Sequence, residues 1–217
     1  MMMADKRLID QAAHIDLTRC YAKLDRFMEE RKRRRAAIEK AAIRAGDDSP
    51  WLVLRVMTGR ETLVRDMLAS VNVEVLSPTK MGPKLRRQGR EIAPKAQPVM
   101  IGYVLARVVM TNENIATLLG FDHVISVLGG YEKPYLVNAE RVLIFNQKAE
   151  KGEFDHEVPQ SAFIGVKRVL IREGIFAGFV AELITGGAKG KGVAVVEITF
   201  GNQPTPMTVP LAFLTPL

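Results

Sequence analysis

Between residues 51 and 149, short apolar runs alternate with segments in which apolar residues recur every three or four positions. The apolar runs are rich in β-branched residues and predict strands, whereas the three- and four-residue spacing predicts amphipathic helices. The predicted strands cover residues 51–57, 73–78, 99–110 and 123–130, and the predicted helices cover residues 61–71, 112–120 and 138–149. This order predicts an α+β fold, an α/β sandwich with helices on one face of a largely antiparallel sheet.

The C-terminal part of the chain, residues 162–217, has a pattern of strands alone. Four short apolar runs cover residues 165–171, 179–185, 193–200 and 207–213, and Gly- and Pro-containing turns separate them. Short strands at close spacing predict a small β-barrel. Residues 150–161 are polar and charged, so we expect them to form a flexible linker between two domains.

Residues 1–46 predict a helical extension, because residues 5–45 contain neither Gly nor Pro and are rich in helix-forming residues. One face carries an apolar stripe at intervals of four, three and four residues, formed by Leu17, Tyr21, Leu24 and Met28. We expect this stripe to pack on a protein surface. Docking on the same chain is favoured over pairing with a second copy, because the stripe is shorter than three heptads.

Most of the positive charge lies in this extension. Residues 1–46 hold 12 Lys and Arg against 7 Asp and Glu, a net charge of +5 out of +7 for the whole chain. Five basic residues are adjacent: Arg31, Lys32, Arg33, Arg34 and Arg35. Such a run favours a polyanion such as nucleic acid, and a solvated helix face is the alternative.

The sequence offers little that would support catalysis. The glycine-rich residues 186–192 lack the spacing and the hydroxyl residue of a phosphate-binding loop and predict a hairpin turn. The three histidines lie in different elements without partners at ligand spacing, and the single Cys20 lies near the apolar stripe. We therefore expect no enzyme activity, no metal and no cofactor. The N-terminus resembles no signal peptide and no apolar run is long enough to span a membrane, so a cytoplasmic location is expected.

Two further features suggest binding surfaces. Residues 79–98 predict a long basic loop between two strands, containing Lys80, Lys84, Arg86, Arg87, Arg90 and Lys95. Phosphate contact by this loop is one interpretation, and a merely solvated loop is the other.

Phe176 and Phe179 flank a turn in the predicted barrel. From the residues alone, either could be core or an exposed contact.

An ordered series of short motifs over residues 51–217 resembles the NusG family of transcription factors. Trp51 opens the first strand, and Gly59 and Glu61 lie at the first strand-to-helix turn. Further matches are residues 77–79, residues 102–104 and the pair Gly129 and Gly130. The C-terminal part resembles a KOW domain at positions that include Gly174, Phe176 and Phe179. Ile101 stands where the family has proline, and residues 1–46 have no family counterpart, so the chain resembles a divergent paralogue.

The resemblance implies an NGN-like domain at residues 51–149 and a KOW-like barrel at residues 162–217. It implies a non-enzymatic elongation factor that binds the RNA polymerase clamp and modulates pausing, antitermination or termination. The implied polymerase-binding residues are Trp51, Val99, Met100 and Tyr103. The barrel would recruit Rho or a small-subunit ribosomal protein through Phe176, with Phe179 beside it. The alternative is an RNA- or ribosome-binding KOW protein without polymerase contact.

Overall fold

The computed structural model describes residues 17–82, 85–87, 90–155, 160–185, 192–200 and 203–217, except for the side chains of residues 85–87, 90–92 and 160–161. The glycine-rich loop at residues 186–191, His14 and His156 lie outside the described residues. The helices are α1 Thr18–Ile43, α2 Glu61–Ala69, α3 Asn112–Leu119 and α4 Ala139–Glu150. The strands up to α4 are β1 Trp51–Val56, β2 Glu74–Leu76, β3 Thr79–Met81, β4 Leu85–Arg87, β5 Arg90–Ile92, β6 Ala96–Pro98, β7 Tyr103–Arg107, β8 Val124–Val127 and β9 Leu136–Val137.

Five of these strands form the sheet of the N-terminal domain, residues 51–150. The order is β2-β7-β1-β8, with β9 also pairing with β1, and every pairing is antiparallel. The predicted fold class, helices together with a largely antiparallel sheet, is confirmed. The short strand β9 was not predicted, since two residues carry no periodic pattern.

The alternation of side chains along β1 divides the core into two layers. Leu52, Leu54 and Val56 are buried on the face that carries α1, α2 and α3. Trp51 and Val53 are buried on the opposite face. A strand that is buried on both faces is apolar almost throughout, which is why the sequence shows a continuous run here.

Helix α1 docks on this domain through its C-terminal half. Ile38 and Ala41 are buried in the same core layer as α2 and α3. Arg31 forms an ion pair with Asp122, in the turn after α3. Residues 17–30 are all exposed. The prediction that the stripe from Leu17 to Met28 docks on the same chain is therefore wrong, because the apolar contact begins one turn beyond the basic run.

The described residues between 79 and 98 form paired β-strands, where the sequence suggested a loop. Strand β3 pairs with β6 and β4 pairs with β5, both antiparallel. The residue numbers of paired positions add up to 177 in both ladders, as in Thr79 with Pro98 and Arg87 with Arg90. The two ladders thus share one register, and we call their four strands the hairpin. The sequence suggested a loop because Gly, Pro and basic residues separate the few apolar positions, which the ladders pair as Met81 with Ala96 and Leu85 with Ile92.

The C-terminal domain, residues 162–217, is a five-stranded antiparallel sheet in the order β13-β12-β11-β10-β14. Its strands are β10 Arg168–Ile171, β11 Val180–Thr185, β12 Val193–Phe200, β13 Gln203–Pro210 and β14 Leu214–Pro216. Alternate residues of these strands are buried in one cluster, as Val169, Val196 and Met207 illustrate. The predicted β-rich region is confirmed, and β14 is an additional strand that the apolar pattern did not separate from β13.

The connection between the two domains is partly built into the structure. Helix α4 continues to Glu150, and Phe154 is 2% exposed although it lies in the predicted linker. The ring of Phe154 packs on Phe145 of α4 and on Phe213 of the C-terminal domain, with centroid distances of 5.4 and 4.8 Å. An aromatic residue in a polar segment thus anchors part of the linker that we expected to be flexible.

A buried carboxylate fixes the end of the sheet at which β1 and β7 meet the first turn of α2. Glu61 is 3% exposed, and its Oε1 accepts a hydrogen bond of 2.7 Å from the backbone N–H of Gly102. Gly102 has a φ of +82°, which a side chain would oppose, and its carbonyl accepts from Val56 N–H at 2.8 Å. The family-like residues Glu61 and Gly102 therefore interact directly, which the sequence alone did not reveal.

We expect Glu61→Ala to lower the free energy of unfolding by about 1–3 kcal/mol, because the buried Gly102 N–H would lose its acceptor. Glu61→Gln keeps an acceptor oxygen and should cost less than half as much. Glu113→Ala, in the exposed first turn of α3, is the control and should change stability by less than about 0.5 kcal/mol. Urea unfolding measures all three. Equal losses for Glu61→Ala and Glu61→Gln would contradict the hydrogen-bond explanation.

Candidate functional site

The four candidate polymerase-binding residues lie on the face of the N-terminal sheet opposite α1 to α3. Val99, Met100 and Tyr103 are 1%, 7% and 4% exposed, and Trp51 is 3% exposed. All four belong to one buried cluster that also contains the core of the C-terminal domain. The candidate face is therefore apolar, as expected, but it is covered in this structure.

The C-terminal domain forms the cover. The ring of Tyr103 meets Phe176 edge to face, with centroids 6.5 Å apart and planes at 75°. The hydroxyl of Tyr103 donates to the backbone carbonyl of Pro206 at 3.5 Å. An isolated antiparallel bridge joins Ile101 to Thr208 of β13. The backbone as well as the side chains of the two domains are thus in contact.

The contact is closely packed. Val99, Met100 and Tyr103 face Phe176, Met207 and other residues of the C-terminal domain across a cavity of about 10 Å³. A space of this size holds one water molecule at most. The candidate face is consequently shielded from solvent and from any large partner while the domains stay together.

Tyr135, which sequence reasoning did not select, is at the centre of the contact. Its ring lies 5.9 Å from Phe176, 5.7 Å from Phe179 and 5.0 Å from Phe200, measured between centroids. Its hydroxyl donates to the carbonyl of Ile175 at 3.3 Å. We call the set formed by Tyr103, Tyr135, Phe176, Phe179 and Phe200 the aromatic interface. Tyr135 follows Pro134 in a stretch without periodicity, so no pattern in the sequence marked it.

A polar contact lies beside the aromatic interface. Lys148 of α4 forms an ion pair of 2.7 Å with Glu173. Arg141 lies two turns of helix before Lys148, and its Nη1 donates to the carbonyl oxygen of Ile175 at 3.5 Å. Both basic residues come from α4 and both acceptors come from the segment that precedes Phe176, so α4 holds this segment of the C-terminal domain.

The contact between the domains also raises the pKa of three side chains. Burial raises the pKa of Tyr103, and the nearby charge of Arg55 opposes this more weakly. Burial likewise raises the pKa of Tyr135 against the effect of Arg141. The hydrogen bond to Glu173 raises the pKa of Lys148. At neutral pH both tyrosines therefore keep their hydroxyl hydrogens for the two backbone carbonyls, and Lys148 keeps its charge for Glu173.

Trp51 forms a cation–π contact with an arginine of the N-terminal domain. The guanidinium carbon of Arg107 lies 5.3 Å from the centre of its ring. Arg107 in turn bonds to Glu74 and to the carbonyl of Asp47, in the segment that follows α1. This arrangement gives Trp51 a structural role in joining α1 to the sheet, beside any role in binding.

The candidate partner-binding residues of the C-terminal domain differ in exposure. Phe176 is 5% exposed and Phe179 is partly buried, and both lie in the aromatic interface. From the sequence, Phe176 could be a core residue or an exposed contact. In the structure it is buried at the contact between the two domains. Tyr103 is a candidate for binding polymerase and Phe176 a candidate for binding a second partner, and in this structure the two rings pack against each other.

The candidate nucleic-acid-binding residues form two groups. In α1, Arg31 pairs with Asp122, Arg34 pairs with Glu30, and Arg33 lies 3.8 Å from Glu29. Lys32 and Arg35 are exposed. In the hairpin, Arg86 is opposite Glu91 and Arg87 is opposite Arg90 in the backbone register, whereas Lys84 lies outside the described residues. The two groups lie on separate elements, α1 and the strands β4 and β5.

Comparison with known proteins identifies the N-terminal domain. Residues 49–146 match the family model described as "Transcription termination factor nusG", which is 98 of the 217 residues. This domain is therefore NusG-like. The matched region includes the candidate face and excludes both α1 and the C-terminal domain. The assignment of residues 162–217 to the KOW type stays a prediction.

Solved structures also match this chain at low identity, among them two with the following descriptions. One is described as "Domain interaction in Thermotoga maritima NusG", at 17% identity, covering 79% of this chain and 99% of that one, with a TM-score of 0.38. Another is the MjSpt4:Spt5 complex in conformation A, at 17% identity, covering 77% of this chain and 97% of that one, with a TM-score of 0.24. No curated protein sequence matches the chain.

The described part of the chain lacks two other kinds of feature, a metal site and a membrane-spanning helix. There, no group of three or more His, Cys, Asp or Glu is arranged to hold a metal ion. No helix among the described residues is long and apolar enough to cross a membrane.

We expect Phe176→Asp to separate the domains, because a carboxylate would be buried without a partner at the centre of the aromatic interface. Small-angle X-ray scattering should then give a larger radius of gyration. Ile184→Asp is the matched control, since Ile184 is 54% exposed on β11, and it should leave the radius unchanged. Circular dichroism checks that both variants keep their secondary structure. A folded Phe176→Asp variant with the radius of the unchanged protein would contradict the interface.

Proposed function

We propose that this NusG-like protein is a transcription elongation factor that binds RNA polymerase through the sheet face formed by Val99, Met100 and Tyr103, with Trp51 at its edge. The observation that carries the proposal is the apolar character of this face within the family-matched domain. An apolar face with a central aromatic residue is the kind of surface that dominates protein interfaces. The proposed role is modulation of pausing, antitermination or termination in the compartment that holds the polymerase, the cytoplasm.

On this proposal the protein has a closed and an open state. In the closed state the C-terminal domain occupies the polymerase-binding face, so the two interactions exclude each other. Apparent affinity for polymerase is then the intrinsic affinity multiplied by the fraction of open molecules. Opening would also release Phe176 for a second partner, for which Rho or a small-subunit ribosomal protein is the expectation from the family resemblance.

The nucleic-acid contacts belong to the same proposal. Residues 31–44 hold seven Lys and Arg against one Asp or Glu, and the hairpin adds Arg86, Arg87 and Arg90. The first group lies on α1 and the second on strands β4 and β5, and basic residues can contact DNA or nascent RNA phosphates without fixed geometry. These contacts would add affinity for an elongation complex over free polymerase.

We expect Phe176→Asp to strengthen binding to core RNA polymerase, because the open fraction rises. Adding Tyr103→Ala to that variant should weaken binding by about 30-fold, equivalent to an anchor of about 2 kcal/mol. Biolayer interferometry with immobilised polymerase measures both. Tyr103→Ala is tested in the Phe176→Asp variant because Tyr103→Ala alone would also open the domains, and the resulting gain in polymerase affinity would mask the loss of the Tyr103 contact. Polymerase affinity that Phe176→Asp leaves unchanged, or lowers while both domains stay folded, would contradict the proposal.

We expect the triple replacement of Arg86, Arg87 and Arg90 by Ala to weaken binding to an elongation complex, and to do so more at low salt. Losing about three phosphate contacts should reduce the slope of log affinity against log salt by about 2 to 3. Replacing Arg19, Lys23 and Arg26 by Ala removes the same charge from α1 outside the basic run and is the control. Equal slopes for the two triple variants would show that the hairpin has no specific role.

A further inference from the structure

The N-terminal half of α1 extends beyond the body of the protein. Residues 17–30, which we call the projecting half, are exposed throughout, and the first partly buried residue is Arg31. At 1.5 Å per residue these 14 residues extend over roughly 20 Å. Helices of this length are marginal in water unless an apolar face is covered, so the projecting half requires an explanation.

One side of the projecting half is apolar. Exposed fractions are 42% for Leu17, 60% for Tyr21, 54% for Leu24 and 58% for Met28. These four residues follow the alternating four- and three-residue spacing of a heptad seam. Cys20 and Phe27, also exposed, lie along one flank of the seam. The flank is therefore apolar as well, and the surface is wider than four residues suggest.

The charges indicate what kind of partner fits. The projecting half has three basic residues, Arg19, Lys23 and Arg26, and three acidic residues, Asp25, Glu29 and Glu30. Residues 31–44, by contrast, have a net charge of +6. A neutral segment lacks the excess of positive charge that binding to nucleic acid or to an anionic membrane requires. The charged residues lie off the seam, so the seam fits another apolar helix.

We propose that the projecting half pairs with the projecting half of a second copy of this chain, in antiparallel orientation. In this register Leu17 packs with Met28 of the second copy, and Tyr21 packs with Leu24 of the second copy. The apolar flanks then face each other, with Cys20 opposite Phe27 of the second copy. Neutral segments can pair in this way without net repulsion.

The antiparallel orientation follows from the position of the N-terminal domain and the basic run, which both come directly after the projecting half. A parallel pair would bring both N-terminal domains to the same end and set the basic run from Arg31 to Arg35 beside its own copy. Like charges at that density repel. An antiparallel pair instead separates the two domains and the two basic runs by the length of the paired segment, leaving the runs available for other contacts.

The pairing is expected to be weak. Six apolar side chains from each copy, each about half exposed before pairing, give an interface near the lower end of the size range of specific complexes. Dimerisation should therefore depend on concentration across the micromolar range. This inference does not rest on the proposed polymerase binding, since it concerns a surface that the family-matched region does not include.

Sedimentation equilibrium of the full-length chain tests the proposal. We expect a monomer–dimer equilibrium, and Leu24→Asp should raise the dissociation constant by at least about tenfold because it places two unpaired carboxylates in the seam. Ala22→Asp adds the same charge to the same helix off the seam and should change the constant by less than about twofold. Circular dichroism confirms that both variants keep their helix content. A chain that stays monomeric across the range, or equal effects of the two substitutions, would overturn the proposal.

Disulfide formation tests the orientation. Phe27→Cys should give a dimer linked through Cys20 of one copy and the new cysteine of the other, which peptide mass spectrometry identifies. The unchanged protein, and the Cys20→Ser, Phe27→Cys double variant, should cross-link poorly, because along the helix axis the two copies of position 20 lie roughly 7 Å apart and those of position 27 roughly 13 Å apart. Efficient cross-linking of the double variant would overturn the antiparallel arrangement.

Discussion

The structure depends on the need to cover the second face of the N-terminal sheet. One face is permanently covered by α1, α2 and α3, whereas Val53, Tyr103 and Leu105 are buried only because another layer lies over the opposite face. Monomeric proteins rarely leave so large an apolar patch in water. In the free protein, α4 and the C-terminal domain supply the cover through the aromatic interface. In our account RNA polymerase replaces the C-terminal domain, so one physical requirement explains both the closed state and the binding function.

Two details determine how readily this exchange could occur. The linker is shortened by the burial of Phe154, which holds the C-terminal domain near its site and raises its effective concentration there. The ion pair of Lys148 with Glu173 is about one third exposed at both ends and adds little stability by itself. Closure therefore rests mainly on apolar and aromatic packing, which a partner with a better apolar surface can replace without overcoming a large electrostatic barrier.

Hydrophobic periodicity in the sequence predicted most helices and strands, but it could not predict contacts between segments that are distant along the chain. The strands and helices of residues 51–149 and the β-rich C-terminal region follow from local patterns and are present. The paired strands within residues 79–98 were mistaken for a loop because basic residues, Gly and Pro dominate this segment, although Met81 pairs with Ala96 and Leu85 with Ile92. The stripe of α1 was expected to dock, but only Ile38 and Ala41 do so. Tyr135 and the burial of Phe176 could not be foreseen, since both depend on how two domains meet, which no local pattern records.

The most direct test of the central claim is a reversible lock on the closed state. Ile101 and Thr208 form an antiparallel bridge between the domains, and paired positions of this kind have Cα separations that a disulfide can span. In a Cys20→Ser background, Ile101→Cys with Thr208→Cys should form an intramolecular disulfide. We predict that the oxidised protein does not bind RNA polymerase and that reduction restores binding. Equal polymerase affinity of the oxidised and reduced forms would contradict the account.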